Sequence, residues 1–178
     1  VGAGYVGMSL SVLLAQHNDV TVLDINEDKV DRINDRQSTV VDAEIELFLA
    51  EKSLSLVATT NSEAAYKGAS FIVVATPTNY DLDTGRFDTG SVDAVVADAL
   101  QFNPDALVVI KSTVPVGHTK SLQQKFLTDR VIFSPEFLRE GQALKDNLYP
   151  SRIIIGSQSK AGIEFAVLLE RAAEKLDV

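Results

Sequence analysis

The residues Val1-Gly2-Ala3-Gly4-Tyr5-Val6-Gly7 set three glycines in the spacing G-x-G-x-x-G directly before an amphipathic segment, Met8 to Gln16. The spacing demands a strand that turns sharply into a helix packed close against it. Gly2 permits the turn, Gly4 lets the backbone approach a pyrophosphate, and Gly7 lets helix and strand pack tightly. Around Tyr5 and Val6 the helix amino terminus offers free N–H groups and a partial positive charge to phosphates. Asp24 stands 22 residues beyond Gly2 (24 − 2), at the end of the strand-like run Val20-Thr21-Val22-Leu23. An acid at that point accepts hydrogen bonds from ribose hydroxyls, and its charge repels the extra phosphate of NADP. No Arg follows it directly. NAD is therefore the expected dinucleotide, with FAD as the competitor. The same residues also admit a plainer reading, a glycine turn followed by an Asp that caps the next helix at Asp24-Ile25-Asn26-Glu27.

Strand-like and helix-like periodicities alternate along the rest of the chain, which is the pattern of an open α/β sheet. Strands are predicted at Val20 to Leu23, Leu56 to Ala58, Phe71 to Ala75, Ala106 to Ile110, Val131 to Phe133 and Ile153 to Ile155. Several are continuously apolar, as strands covered on both faces are in a parallel sheet. Helices are predicted at about 5–16, 27–35, 43–51, 91–101, 117–127 and 160–176. The expected fold is α/β: a Rossmann-type, doubly wound, mainly parallel sheet with helices on both faces. Pro77 to Gly90, with Asn79, Asp81, Asp83, Gly85 and Gly90, reads as a loop over the carboxyl edge of the sheet, where open α/β folds place ligands.

Composition limits the partners. With 178 residues and 46% hydrophobic side chains the chain suits one globular domain with a sizeable core. Acidic residues number 25 against 16 basic, a net charge of −9, and no two basic residues are adjacent. That argues against a nucleic-acid or anionic-membrane surface, both of which need clustered Lys and Arg. The longest apolar runs, such as Phe71 to Ala75, fall far short of the ~20 residues that span a bilayer. Cysteine is absent, which excludes disulfides, cysteine metal sites and a cysteine nucleophile within the chain. The opening on Val1, without a starting Met, reads as a fragment whose first strand is mostly cut away.

Three segments follow predicted strands and so share the carboxyl edge: Ala75-Thr76-Pro77-Thr78, Lys111-Ser112-Thr113-Val114-Pro115-Val116-Gly117 and Ser134-Pro135-Glu136-Phe137-Leu138-Arg139-Glu140-Gly141. Hydroxyls of Thr76, Thr78 and Thr113 and carboxylates of Glu136 and Glu140 are expected to converge on one crevice. Helix capping and turn formation explain many Thr and Pro residues equally well. Glu136 and Glu140 are four apart, so a helical turn would place both on one face.

Together with the glycine motif, these segments and the following Asp146-Asn147-Leu148-Tyr149-Pro150-Ser151-Arg152 resemble the amino-terminal domain of the UDP-glucose/GDP-mannose dehydrogenase family, over essentially the whole chain. The octapeptide from Ser134 points to its UDP-glucose branch. The resemblance implies NAD-dependent oxidation of the UDP-glucose C6 alcohol to UDP-glucuronate by two hydride transfers. In the family a cysteine captures the intermediate aldehyde and water releases the product from a thioester. Residues 1–178 would be the NAD-binding domain, with the central helix, the UDP-binding domain and the cysteine outside the chain. Gly2, Gly4, Tyr5, Val6 and Gly7 would form the phosphate turn, and Asp24 and Lys29 would hold the adenosine ribose region. Thr78 and Thr113 would contact NAD, Thr113 near the reacting centre. Glu136, Phe137, Leu138, Arg139 and Glu140 would form the substrate loop, with Glu140 beside the nicotinamide and Glu136 as base for the water. The implied protein is cytoplasmic and homodimeric through its other regions, binding neither nucleic acid nor membrane.

Other NAD-dependent dehydrogenases, of the 3-hydroxyacyl-CoA or 6-phosphogluconate type, share the architecture but leave the Glu136 to Gly141 segment unexplained. A non-catalytic NAD-binding or redox-sensing module is the alternative from another class. Asp81-Leu82-Asp83-Thr84-Gly85 fails as a calcium loop, having Arg86 where Gly is needed and Val92 where Glu is needed. His17 and His118 lie 101 positions apart without ligand partners, so no metal site is expected.

Overall fold

The computed structural model describes residues 1–82, 85–175 and 178. Helix α1 (Tyr5–Leu14) follows the glycine turn and is buried along most of its length, through Met8, Leu10, Val12, Leu13 and Leu14. Strand β1 (Val20–Leu23) pairs in parallel with β2 (Leu56–Thr59), in the register Val20 to Leu56. Helices α2 (Glu27–Asn34), α3 (Ala43–Glu51) and α4 (Ser62–Tyr66) surround that pair. Each begins on a side-chain cap, from Asn26, Asp42 and Asn61 respectively, which supplies an acceptor to an otherwise unpaired N–H. Beyond them β3 (Phe71–Val74), β6 (Leu107–Ile110) and β7 (Val131–Phe133) form a second parallel group, β6 in its middle.

Val1 and Gly2 join the two groups. The Val1 amine donates to Val73 O (2.6 Å), Ala75 N–H donates to Val1 O (2.9 Å), and Gly2 N–H donates to Leu23 O (2.8 Å). The order across the molecule is thus β2, β1, Val1–Gly2, β3, β6, β7. The chain runs outward to one side as far as β2, then crosses back and continues to the other side. The reversal at Val1 is the switch point at which doubly wound sheets open a crevice. A cleft of about 950 Å³ separates β1 from β3 on the amino side of Val1, between Val20, Thr21, Phe71 and Val73.

Strand β6 shows why the apolar runs are continuous. Leu107 and Val109 pack into one apolar cluster with α1, α3 and Phe165, whereas Val108 and Ile110 pack into the other with Val92, Val96 and Leu122. Helices α5 (Gly90–Phe102) and α6 (His118–Phe126) supply the second layer; α7 (Ala143–Leu148) and α8 (Lys160–Ala172) complete the first.

The structure corrects three expectations. Ile153 to Ile155 is not a strand: Ile153 and Ile155 pack on the core, but the segment's tie to β7 is the Gly156 N–H to Phe133 O bond (2.8 Å) just beyond it. Apolar alternation there reflects packing without a ladder. Pro77 to Gly90 is not wholly loop, since β4 (Asn79–Asp81) and β5 (Arg86–Asp88) pair antiparallel, with the Tyr80 and Phe87 rings 5.0 Å apart. That cross-strand aromatic pair rewards the hairpin. Asp83 and Thr84 in its turn lie outside the described residues, as does Leu176 of the predicted last helix. Finally, residues 135–139 are not helical, so Glu136 and Glu140 do not share a helical turn. Arg139 ties the end of that segment to Asp146 through its backbone N–H and its guanidinium.

Candidate active site

The glycine turn is built as its spacing requires. Gly2 has φ +96°, and a Cβ there would stand 2.6 Å from Ala75 O. A Cβ on Gly7 would meet Gly2 O at 1.8 Å, so the helix can approach only without a side chain. Gly4 differs: a Cβ there would meet nothing within 4 Å. Its bare backbone leaves open space before an α1 terminus that has no side-chain cap and no acid in its first turn. Tyr5 and Val6 are half-buried beside it. Phosphate oxygens fit such a cradle, because the exposed N–H groups lack acceptors from the protein's own side chains.

Asp24 ends β1 with its carboxylate only 10% exposed. Oδ2 accepts from Ala3 N–H (2.7 Å) and Oδ1 from Asn26 N–H (3.0 Å), so the acid ties the glycine turn to the strand end. Capping of α2 falls to Asn26, which accepts from Lys29 N–H (3.1 Å), and this sets aside the plainer reading of Asp24. Lys29 Nζ lies 3.8 Å from Asp24 Oδ2, which places both residues beside the turn. Each carboxylate oxygen retains lone-pair capacity for a ribose hydroxyl.

The next three segments meet at the same edge. Ser112 donates to Thr76 O (2.6 Å), and Ser91 donates to Thr76 Oγ1 (3.1 Å) and to Pro77 O (2.8 Å). Thr78 is half-buried and Thr113 is exposed. Lys111, at the end of β6, is the cation that connects the strand to the octapeptide. Its side chain is 4% exposed; Nζ donates to Ser134 Oγ (3.3 Å) and Pro135 O (3.5 Å) and stands 3.0 Å from Glu136 Oε2. A cavity of about 30 Å³, room for one water, lies against Lys111, Glu136, Asn147 and Arg152.

Not every expected residue joins this cluster. Phe137 is half-exposed, with the Arg152 guanidinium 4.5 Å over its ring, and Leu138 is half-buried. Arg139 turns away to Asp146, donating from its backbone N–H (2.8 Å), Nε (3.1 Å) and Nη2 (2.6 Å). Those hydrogen bonds hold the Asp146 carboxyl below the usual carboxylate range. Glu140 is exposed on the turn before Gly141. Two groups escaped the sequence reading. Lys111 was legible only as a charge terminating an all-apolar strand. Asp42, 2% exposed, caps α3 and also accepts from Ala143 N–H (2.6 Å) at the start of α7.

A parallel sheet with a switch point, a glycine turn opening a helix and an acid ending the next strand define a Rossmann-type dinucleotide-binding domain. The chain belongs to the UDP-glucose/GDP-mannose dehydrogenase family: residues 1–172 match the model of its NAD binding domain. It is similar to a UDP-glucose 6-dehydrogenase of Streptococcus pneumoniae, 50% identical over 183 residues, covering 99% of this chain and 46% of that protein. A UDP-glucose 6-dehydrogenase of Campylobacter jejuni is 46% identical, covering 100% and 46%. Among solved structures, a GDP-mannose dehydrogenase from Pseudomonas aeruginosa superposes with TM-score 0.84 at 25% identity, covering 97% of this chain and 43% of that one. A UDP-glucose dehydrogenase from Pyrobaculum islandicum does so with TM-score 0.83 at 28% identity and the same coverage. The chain thus spans about half the length of the relatives it matches. Its cofactor is NAD, as the matched domain specifies. Among the described residues no helix is long and apolar enough to cross a membrane.

Proposed function

We propose that residues 1–178 are the NAD-binding domain of a UDP-glucose 6-dehydrogenase. The complete protein would oxidise UDP-glucose to UDP-glucuronate by two hydride transfers. The observation that carries this reading is the 50% identity across the whole domain to a protein of that name. NAD accepts the hydride when bound; the rest of the site binds, orients and handles protons. The turn of Gly2, Gly4, Tyr5, Val6 and Gly7 holds the pyrophosphate, while Asp24 and Lys29 take the adenosine ribose. Thr78 and Thr113 line the cofactor, Thr113 toward the reacting carbon, with Glu140 near the nicotinamide. Phe137, Leu138 and Arg139 belong to the substrate loop. Glu136 accepts a proton from the water whose oxygen bonds to the thioester carbon as the carbon–sulfur bond breaks and the thiolate leaves. The cysteine, the central helix and the UDP-binding domain stand in regions of the protein beyond this chain. Cytoplasmic location and homodimer formation through those regions accompany the reading.

The test is absorbance of NADH formed by the complete protein supplied with UDP-glucose, GDP-mannose or an acyl-CoA alcohol. Two NADH per UDP-glucose, with UDP-glucuronate as product, is expected. Turnover of another substrate in its place, or NAD binding without any turnover, would contradict the reading.

A further inference from the structure

Lys111 directly follows β6, the most enclosed strand of the sheet. All four residues of β6 are buried, and the side chain that follows them is an ammonium with 4% exposure. Burying a charge without partners is prohibitive, so the identity of its partners defines its role. All three come from consecutive residues, Ser134, Pro135 and Glu136, at the entry of one loop. The loop begins where Ser134 N–H donates to Ile110 O (2.9 Å), immediately beside Lys111.

The two oxygens of Glu136 are not equivalent. Oε2 is fully buried and, among the described residues, accepts no hydrogen bond, so the Lys111 charge at 3.0 Å is what holds it. Oε1 accepts from the N–H of half-exposed Phe137 (3.2 Å). One oxygen is therefore fixed inward and the other lies along the loop.

We propose that Lys111 is a positioning residue for Glu136, anchoring the inner carboxylate oxygen and the loop entry so that Oε1 faces the reacting water. This inference rests on Glu136 being the base in the hydrolytic step. Lysine suits the position because a compact ammonium at the end of a flexible stem fits under the loop, whereas a guanidinium is larger and planar. Neutralising Glu136 by substitution and removing Lys111 should then damage the same step.

The experiment combines two readouts on the complete protein. Hydrogen–deuterium exchange compares the wild type with Lys111→Met. Exchange about tenfold faster across residues 134–140, with residues 107–110 unchanged, is expected. Exchange unchanged across 134–140 would overturn the proposal. Kinetics then compare Lys111→Met, Glu136→Gln and the double variant. General-base loss lowers kcat by about 10²–10⁴-fold in Glu136→Gln, and a fall of at least about tenfold is expected in Lys111→Met, with KM for NAD unchanged. The double variant should stay within about threefold of Glu136→Gln alone, since removing a residue that acts through another adds little. Multiplicative losses, or a rise in KM for NAD without a fall in kcat, would show a merely structural role and overturn the proposal. Should Lys111→Met fail to fold, Glu136→Ala leaves β6 intact: faster exchange across residues 134–140 supports the tie and no change overturns it. Absence of any NADH from UDP-glucose in the wild type would defeat the enzymatic reading, while the exchange result still decides the tie.

Discussion

Asp42→Ala is expected to destabilise the domain far more than an ordinary cap removal. Asp42 is 2% exposed and serves two helices at once. Oδ1 accepts from Ile45 N–H (3.2 Å) in α3; Oδ2 accepts from Ala143 N–H (2.6 Å) and Leu144 N–H (3.4 Å) in α7, 101 and 102 residues away. Losing a cap is worth ~1 kcal/mol, and a hydrogen bond to a charged group ~1.5–3 kcal/mol. Counting the long contact to Leu144 as weak, the change should total about 3–5 kcal/mol, a large share of the ~5–15 kcal/mol typical of a domain. Urea unfolding should show a lower midpoint at an unchanged slope. At ~2–4 °C per kcal/mol for a chain of this size, the melting temperature should fall by roughly 6–20 °C. A loss below about 1 kcal/mol would mean that the three N–H groups find equal partners in water and that Asp42 does not join the two helices. The consequence reaches the site, since α7 begins immediately after the Ser134 to Gly141 loop and Asn147 within it donates to Ser9 Oγ of α1 (3.0 Å).

Gly7→Ala forces a Cβ onto Gly2 O, and because both partners are backbone the helix must shift; a destabilisation of about 1–3 kcal/mol by denaturant titration and loss of NAD binding by calorimetry are expected. Asp24→Ala leaves Ala3 N–H without its acceptor and should weaken NAD at least about tenfold in the same calorimetric titration, with NADP less affected than NAD. The Asp146 carboxyl is held low by Arg139, so the stability it contributes is full above the unfolded carboxylate value of about 3.9 and disappears as pH falls through its lower folded value. The stability difference between wild type and Asp146→Asn should be constant from about pH 5 to 8 and vanish in stronger acid, and it should be small and salt-sensitive because Arg139 is largely exposed.

How much of this was legible in the sequence follows from the range of each interaction. The glycine turn and its acid were readable because the constraint is local: a Cβ at Gly7 collides with Gly2, five residues away. The parallel sheet was readable because both faces of each strand are covered, which leaves the apolar run unbroken, as in β6. Ile153 to Ile155 misled because apolar packing and strand pairing leave the same imprint on a short segment. The hairpin around Tyr80 and Phe87 hid behind turn-forming residues. Lys111 with Glu136, and Asp42 with Ala143, bridge 25 and 101 positions (136 − 111 and 143 − 42); no local periodicity encodes such pairs. Strand order in a parallel sheet brings the post-strand segments to one edge, but no sequence pattern marks Lys111 as the cation that ties two of them together.

Amide NMR of the 178-residue chain titrated with NAD decides whether the dinucleotide binds at the glycine turn and Asp24. Saturable shifts at Gly2, Gly4, Tyr5, Val6, Gly7 and Asp24, absent in Gly7→Ala and weaker with NADP, are the expected result. Shifts confined to the cleft between β1 and β3, or none that saturate, would mean that NAD does not bind at the glycine turn.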